Sequence, residues 1–212
     1  MQAVSIKNIL LLKTLNEFAE FVLSSEETLS KLKLPNMKGV DADEACSHEY
    51  LEKRIAKPDI ETGFPLHTIG FDINTALGNE LPEGWADAAK KLDDGIMRSI
   101  GVGFSALKMY YPKDGYIGWH NNCNCPGQNL LLTYSKGGNG YFEWMDPITK
   151  KITRMDDQPG WTAKVGYYGS FEEPDKVLWH AARTYEPRLT VSYVVRDQSM
   201  WEYMVEDIQS AQ

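Results

Sequence analysis

Cysteine is scarce in this chain. Three in 212 residues is an odd number, unlike a disulfide framework, and agrees with a reducing compartment. Long hydrophobic runs are missing too: no stretch approaches the apolar length that spans a bilayer, and the first residues lack the basic, apolar and cleavable pattern of a signal sequence. A cytoplasmic protein without a membrane role is the expectation. A basic excess is also missing. The net charge is −8, and its parts are −6 over residues 1–100, +2 over 101–196 and −4 over 197–212. Phosphate contacts need a basic footprint, so nucleic acid is a poor partner for such a surface. The middle stretch is not acidic, which leaves room there for an anionic co-substrate. Internal repeats, low-complexity segments and dividing linkers are absent as well, so one domain over 1–212 is expected.

What the chain does have is a core's worth of hydrophobic residues (42%) and aromatics (11%). Residues 1–100 read as helical support with an early strand. Thr14-Leu15-Asn16-Glu17 has the form of a capping box, with Leu15, Phe18 and Val22 on one stripe. Ser24-Ser25-Glu26-Glu27 offers a second cap and a short continuation, 34–43 reads as a loop, 44–56 as a helix and His67–Ile73 as a strand. Trp85, Ala89, Leu92, Ile96 and Ile100 recur at the helical period, predicting a helix over 85–100. After that the texture changes. Eight short β-branched and aromatic runs follow, at 103–111, 116–120, 129–135, 140–145, 151–155, 161–168, 177–181 and 188–195, separated by turn chemistry such as Pro112-Lys113-Asp114-Gly115. The expected class is α+β, mainly β: a double-stranded β-helix (jelly roll, cupin-like) over 101–196, with the helices before it as support and a short terminal helix within 197–212.

Two of only four histidines end predicted strands, His120 and His180, and each directly follows a tryptophan. In a jelly roll such strand ends can lie side by side. With Asn122 two places after His120, the pattern resembles a mononuclear site of two histidines and a third oxygen ligand, the kind that leaves positions open for a co-substrate and O₂. Arg188 opens the last predicted strand with Thr190 on the same face. Its planar fork suits a carboxylate, and the threonine hydroxyl can add a hydrogen bond. Trp119, Tyr134, Trp144 and Trp179 are candidate pocket walls.

The segment Tyr110 to His120 resembles the strand-turn-strand that carries the first iron ligand in AlkB-like and prolyl-hydroxylase-like 2-oxoglutarate/Fe(II) oxygenases. Trp179-His180 and Arg188-Leu189-Thr190 are similar to their second ligand and co-substrate segment. Gly118 to Ser135 also resembles small bacteriophage-encoded oxygenases. The likeness covers residues 103–196. It implies His120 and His180 as iron ligands with Asn122 at the third position, Arg188 and Thr190 on the distal carboxylate of 2-oxoglutarate, and Tyr110 as a phenolic donor to the same co-substrate. It also implies Fe(II) and 2-oxoglutarate as cofactors, with no catalytic side chain beyond the metal ligands.

Asn122 stands where that pattern has Asp or Glu, and four accounts follow. The amide oxygen ligates in a working enzyme, which we favour; a carboxylate from elsewhere, Asp114 being nearest in sequence, replaces it; two histidines hold the iron with water or halide, as in halogenases; or the chain kept the fold without turnover. Cys46, Cys123 and Cys125 with His48 have the inventory of a zinc site, although a one-residue spacer is tight for one. The expected function is a hydroxylase acting on a peptidyl side chain or a small molecule. The rivals are a cupin-like binding module and a nucleic-acid-modifying AlkB-like oxygenase. The loops 34–43, 56–66 and 136–140 are candidates for shaping specificity.

Overall fold

The computed structural model describes residues 1–34, 40–57, 65–76, 81–123 and 125–211. It is mainly β, two antiparallel sheets with a few helices. Strands β1 (Gln2–Val4), β2 (Thr68–Ile69) and β3 (Phe71–Asp72) precede the main series. That series is β4 (Ser105–Tyr111), β5 (Tyr116–His120), β6 (Gly127–Ser135), β7 (Gly140–Met145), β8 (Ile152–Asp156), β9 (Gly160–Tyr168), β10 (Trp179–Thr184) and β11 (Arg188–Val195). The larger sheet runs β1-β9-β6-β11-β4-β3 and the smaller β2-β5-β10-β7-β8.

The helices are α1 (Ile9–Leu23), α2 (Glu26–Ser30), α3 (Ala42–Ala45), α4 (His48–Ile55), α5 (Trp85–Ile100) and α6 (Gln198–Gln209). Their apolar stripes explain where they sit. Leu11, Leu15 and Phe18 of α1, Leu92 and Ile96 of α5, and Met204 and Ile208 of α6 form one cluster with Leu130, Leu132, Leu189, Val191 and Tyr193 of the larger sheet. In β11 those sheet residues alternate with Arg188, Thr190 and Ser192, and in β6 with Leu131 and Thr133, so the period of two turns one set to the helices and the other inward. In β11 the whole strand is buried, with Leu189, Val191, Tyr193 and Val195 in the helix cluster while Arg188, Thr190 and Ser192 line a cavity between the sheets. A second cluster fills the rest of that space, with Met109, Tyr111, Ile117, Leu131, Phe142 and Trp144 among its members. A third, under α3 and α4, covers the outer face of the smaller sheet.

Several expectations shift. Helix α1 starts at Ile9, ahead of the capping box at Thr14, because Asn8 is the cap: its Oδ1 accepts from Leu11 N at 2.9 Å, and its Nδ2 donates to Asp207 O and Ser99 O. That tertiary tie outweighs the local signal. The helix expected over 44–56 is two short ones, since Ser47 caps α4 through Tyr50 N at 3.0 Å. Strand β10 begins two residues after the start of the run expected at 177–181 and ends three residues beyond it. Strand β1 was not foreseen; it joins the edge of the larger sheet by pairing with β9. No helix among the described residues is long and apolar enough to cross a membrane.

Candidate functional site

His120 and His180 are paired residues on β5 and β10. Their ring centroids are 4.1 Å apart at an interplanar angle of 53°. A bulge makes this possible. Ile117 pairs with Ala182 and His120 with His180, so three steps on β5 match two on β10, and Gly118 and Trp119 together oppose Ala181. Without the extra residue, Ile117 and His120 would point to opposite faces; with it, both line the inner cavity. Gly118 is needed for space at this point. A Cβ there would lie 3.2 Å from Ala45 Cβ, Ala45 O and His67 O, and Gly118 N donates to His67 O at 2.9 Å.

Each ring is held the same way. His120 Nδ1 donates to Gly118 O at 2.8 Å, and His180 Nδ1 donates to Leu178 O at 3.0 Å. A carbonyl only accepts, so the proton is on Nδ1 and Nε2 carries the lone pair. Burial, then the neighbouring His180, pushes the His120 pKa well below its ordinary value, and burial takes His180 down to about 4. Both imidazoles are therefore neutral near pH 7, the state a metal requires.

Asn122 follows on a turn in the left-handed region (φ 52°), closed by Cys125 N donating to Asn122 O at 2.8 Å. Its Nδ2 lies 3.4 Å from His180 Nε2. The two ends of a carboxamide exchange by a half-turn of the last torsion, which would bring the oxygen to the same place. No carboxylate joins them: among the described residues no group of three His, Cys, Asp or Glu is placed to hold a metal ion. Asp114 is exposed in the β4–β5 turn, at the opposite end of β5 from His120. The cysteines are not brought together either. Cys46 is buried against Ile117 O and Ala182 O, and Asn124, between Cys123 and Cys125, lies outside the described residues.

The cavity beside the histidines has a volume of about 460 Å³, and Asn122, Arg188, Thr190, Ser192, Tyr111 and Met109 are among its walls. Arg188 and Thr190, both buried, connect this lining to a polar cluster behind it. Asp157, just after β8, faces two cations: Arg188 Nη2 donates to Oδ1 at 3.3 Å, and Lys164 Nζ donates to the same oxygen at 3.4 Å. Arg188 Nε lies 2.9 Å from Asp157 Oδ2 without the alignment of a hydrogen bond, so both atoms remain unsatisfied. Thr190 Oγ1 and Thr133 Oγ1 are buried without partners, and those two residues pair directly across β11 and β6. Burial, then the Arg188 charge, lowers the Lys164 pKa to about 8 against the opposing pull of Asp157. One anion between two cations, with orphaned hydroxyls nearby, is a place that lacks an anionic acceptor.

Four sequence candidates fall outside the cavity. Tyr110 pairs with Leu189 and belongs to the helix-side cluster; strand alternation puts its neighbour Tyr111 inside instead. Trp119 is turned outward by the bulge, fully buried, and donates from Nε1 to Cys46 O at 3.1 Å. Trp179 packs on the outer face beneath α4, and Tyr134 stacks on Trp161 outside the larger sheet. Trp144 alone of the four proposed walls joins the inner cluster. Lys164, Asp157 and Thr133 went unnoticed in the sequence. Only Lys164 left a trace there, as a cation among Ala163 and Val165 in a strand-like run. Of the specificity loops, residues 35–39 and 58–64 lie outside the described residues.

No protein-family model matches the chain, and no curated protein does. Among solved structures, a prolyl-4-hydroxylase from Pseudomonas putida aligns with 12% identity over 92% of this chain and 91% of that one, at a TM-score of 0.41. A prolyl hydroxylase from Trichoplax adhaerens, in complex with a hypoxia inducible factor oxygen degradation domain peptide, aligns with 12% identity over 94% and 84%, at 0.44. A predicted oxalate decarboxylase from Thermotoga maritima aligns with 14% identity over 60% and 81%, at 0.26. Scores this low carry no argument, and the functional reading rests on the side chains.

Proposed function

We propose that this chain is an Fe(II)- and 2-oxoglutarate-dependent hydroxylase on a jelly roll, acting on a peptidyl side chain or a small molecule. The strand order supports the fold: numbering β4 to β11 as one to eight, the sheets read 1-8-3-6 and 2-7-4-5, the alternation of a double-stranded β-helix. The observation that carries the function is one cavity with two kinds of site. At one end are two neutral imidazoles with unprotonated Nε2 atoms, that of His180 facing the Asn122 carboxamide, and at the other a buried, unsatisfied cationic and hydroxyl lining.

The donor set fits a metal. His120 Nε2, His180 Nε2 and the side-chain oxygen of Asn122 would hold Fe(II), which with 2-oxoglutarate and O₂ supplies the oxidation of a C–H bond. The lining fits the co-substrate. Arg188 would bind its distal carboxylate, with the Thr190 and Thr133 hydroxyls donating to the same oxygens. Lys164 leaves the cluster one positive charge in excess of Asp157, which suits an incoming carboxylate. Met109, Tyr111, Ile117, Leu131 and Phe142 keep the space between the two ends apolar and exclude water.

The test is succinate release from 2-oxoglutarate by Fe(II)-loaded protein in air. Release above that of the His180→Ala variant supports the proposal. The second reading, a binding module, is favoured by the absence, among the described residues, of a carboxylate beside the imidazoles. It predicts retention of the dicarboxylate without succinate.

A further inference from the structure

A second concavity, about 580 Å³, lies on the other side of the Asn122 turn, between α4 and the outer face of the smaller sheet. Asn121 and Cys123 reach it, while Asn122 between them lines the inner cavity. The two spaces therefore meet at one turn. The groove's walls are largely apolar, with Leu51, Ile55, Met145, Ile152, Phe171 and Trp179 among them. Among the described residues its charge is one-sided: Arg54, Lys57 and Lys150 line it against the single carboxylate of Glu52.

Arg54 is the unusual member. It is only 5% exposed, yet its Nε and Nη1 have no hydrogen-bond partner. The Tyr50 hydroxyl is a polar neighbour, and the guanidinium carbon stands 5.9 Å from the Trp179 ring centroid. An always-charged fork that is desolvated and half unpaired costs free energy unless something anionic completes it. Its position follows from the sequence of α4, where Arg54 is three residues after the buried Leu51 and shares its inward face.

We infer that this groove binds a small organic oxyanion, a carboxylate or phosphate on an apolar body, anchored by Arg54 with its other end at the Asn121–Cys123 turn. The volume suits a small molecule, the walls suit an apolar body, and the fork can bind two oxygens. Taking this ligand as the substrate rests on the hydroxylase reading; the binding does not. The two fail separately.

The experiment uses the full metal-free chain. It is titrated with 4-phenylbutyrate, phenyl phosphate and the uncharged 4-phenylbutyramide, followed by calorimetry and tryptophan emission. At least one anion should bind saturably, about tenfold or more tighter than the amide, with the better of the two naming the oxyanion. Arg54→Gln should weaken it by about tenfold or more and Arg54→Lys by less, since lysine keeps the charge and loses the fork. No anion binding up to about 10 mM, equal binding of acid and amide, or full binding by Arg54→Gln each overturns the inference. Should Arg54→Gln fail to fold, the acid–amide comparison is run on Arg188→Met, whose inner cavity has lost its guanidinium; equal binding of acid and amide there overturns the inference.

Discussion

His120 and His180, 60 positions apart in sequence, are direct partners in one ladder, with ring centroids at 4.1 Å. Each points its Nδ1 at the carbonyl two residues before it, on Gly118 and Leu178. Such backbone ties fix the tautomer and aim both Nε2 atoms into one space, as ligating histidines are usually prepared.

The Asn122 turn is aimed at that space too. Asn122→Asp should tighten Mn(II) binding, a redox-silent substitute for Fe(II), by about tenfold or more, because an anionic oxygen replaces a neutral one. Aspartate tolerates the left-handed backbone at φ 52°. Asn122→Ala should weaken binding. Calorimetric titration checks both, and unchanged affinity in the aspartate variant would mean that the turn does not present its side chain to the metal.

Asp157 holds Arg188 and Lys164 apart in charge. Asp157→Ala leaves two buried cations without their shared anion, and a loss of about 3–5 kcal/mol is expected in denaturant melts. A saturating dicarboxylate should restore part of that loss if the cations face the co-substrate. Equal melts with and without 2-oxoglutarate would count against this placement.

Affinity for 2-oxoglutarate should fall with rising pH. The Lys164 pKa is about 8 in the fold against an ordinary 10.5. Between these values the unfolded chain holds a proton that the fold has shed, so global stability gains as pH rises through that window. The proposed co-substrate site should behave oppositely. It needs the charged ammonium, and as Lys164 deprotonates, the dissociation constant should rise roughly tenfold from pH 7 to pH 9. Lys164→Met should flatten the profile and bind weakly throughout.

Trp119 is expected to act through stability alone. It is fully buried and tied to Cys46 O, so Trp119→Ala should cost about 3–5 kcal/mol. Trp119→Phe should lose the indole hydrogen bond, melt lower, and still bind 2-oxoglutarate like the unaltered chain. A changed affinity in the phenylalanine variant would return Trp119 to the pocket wall.

The alternation in β11 announced Arg188 and Thr190 as one face, and the strand-end histidines announced their meeting, so the eight later strands and these two placements were legible, whereas the one early strand expected over His67–Ile73 is two, β2 and β3, on different sheets. The bulge at Gly118 and Trp119 was not, because nothing in Gly-Trp-His says which residue is the extra one until Ala181 lies opposite. That one residue decides whether Trp119 or His120 faces inward. Tyr110 and Tyr111 are a similar case: two identical neighbours on an all-buried stretch, separated only by the register with Arg188 and Leu189. Asp157 was invisible for a different reason. It lies in a connection, with no period, and takes its meaning from two strands it contacts.

The most direct test is an anaerobic titration of the metal-free protein with Fe(II) and 2-oxoglutarate, followed by visible absorption. The account predicts a weak, broad charge-transfer band that needs both components and is lost in Arg188→Met and in His180→Ala. A flat spectrum at saturating Fe(II) and 2-oxoglutarate would contradict it, and would leave the two imidazoles and the cationic end of the cavity to a binding module.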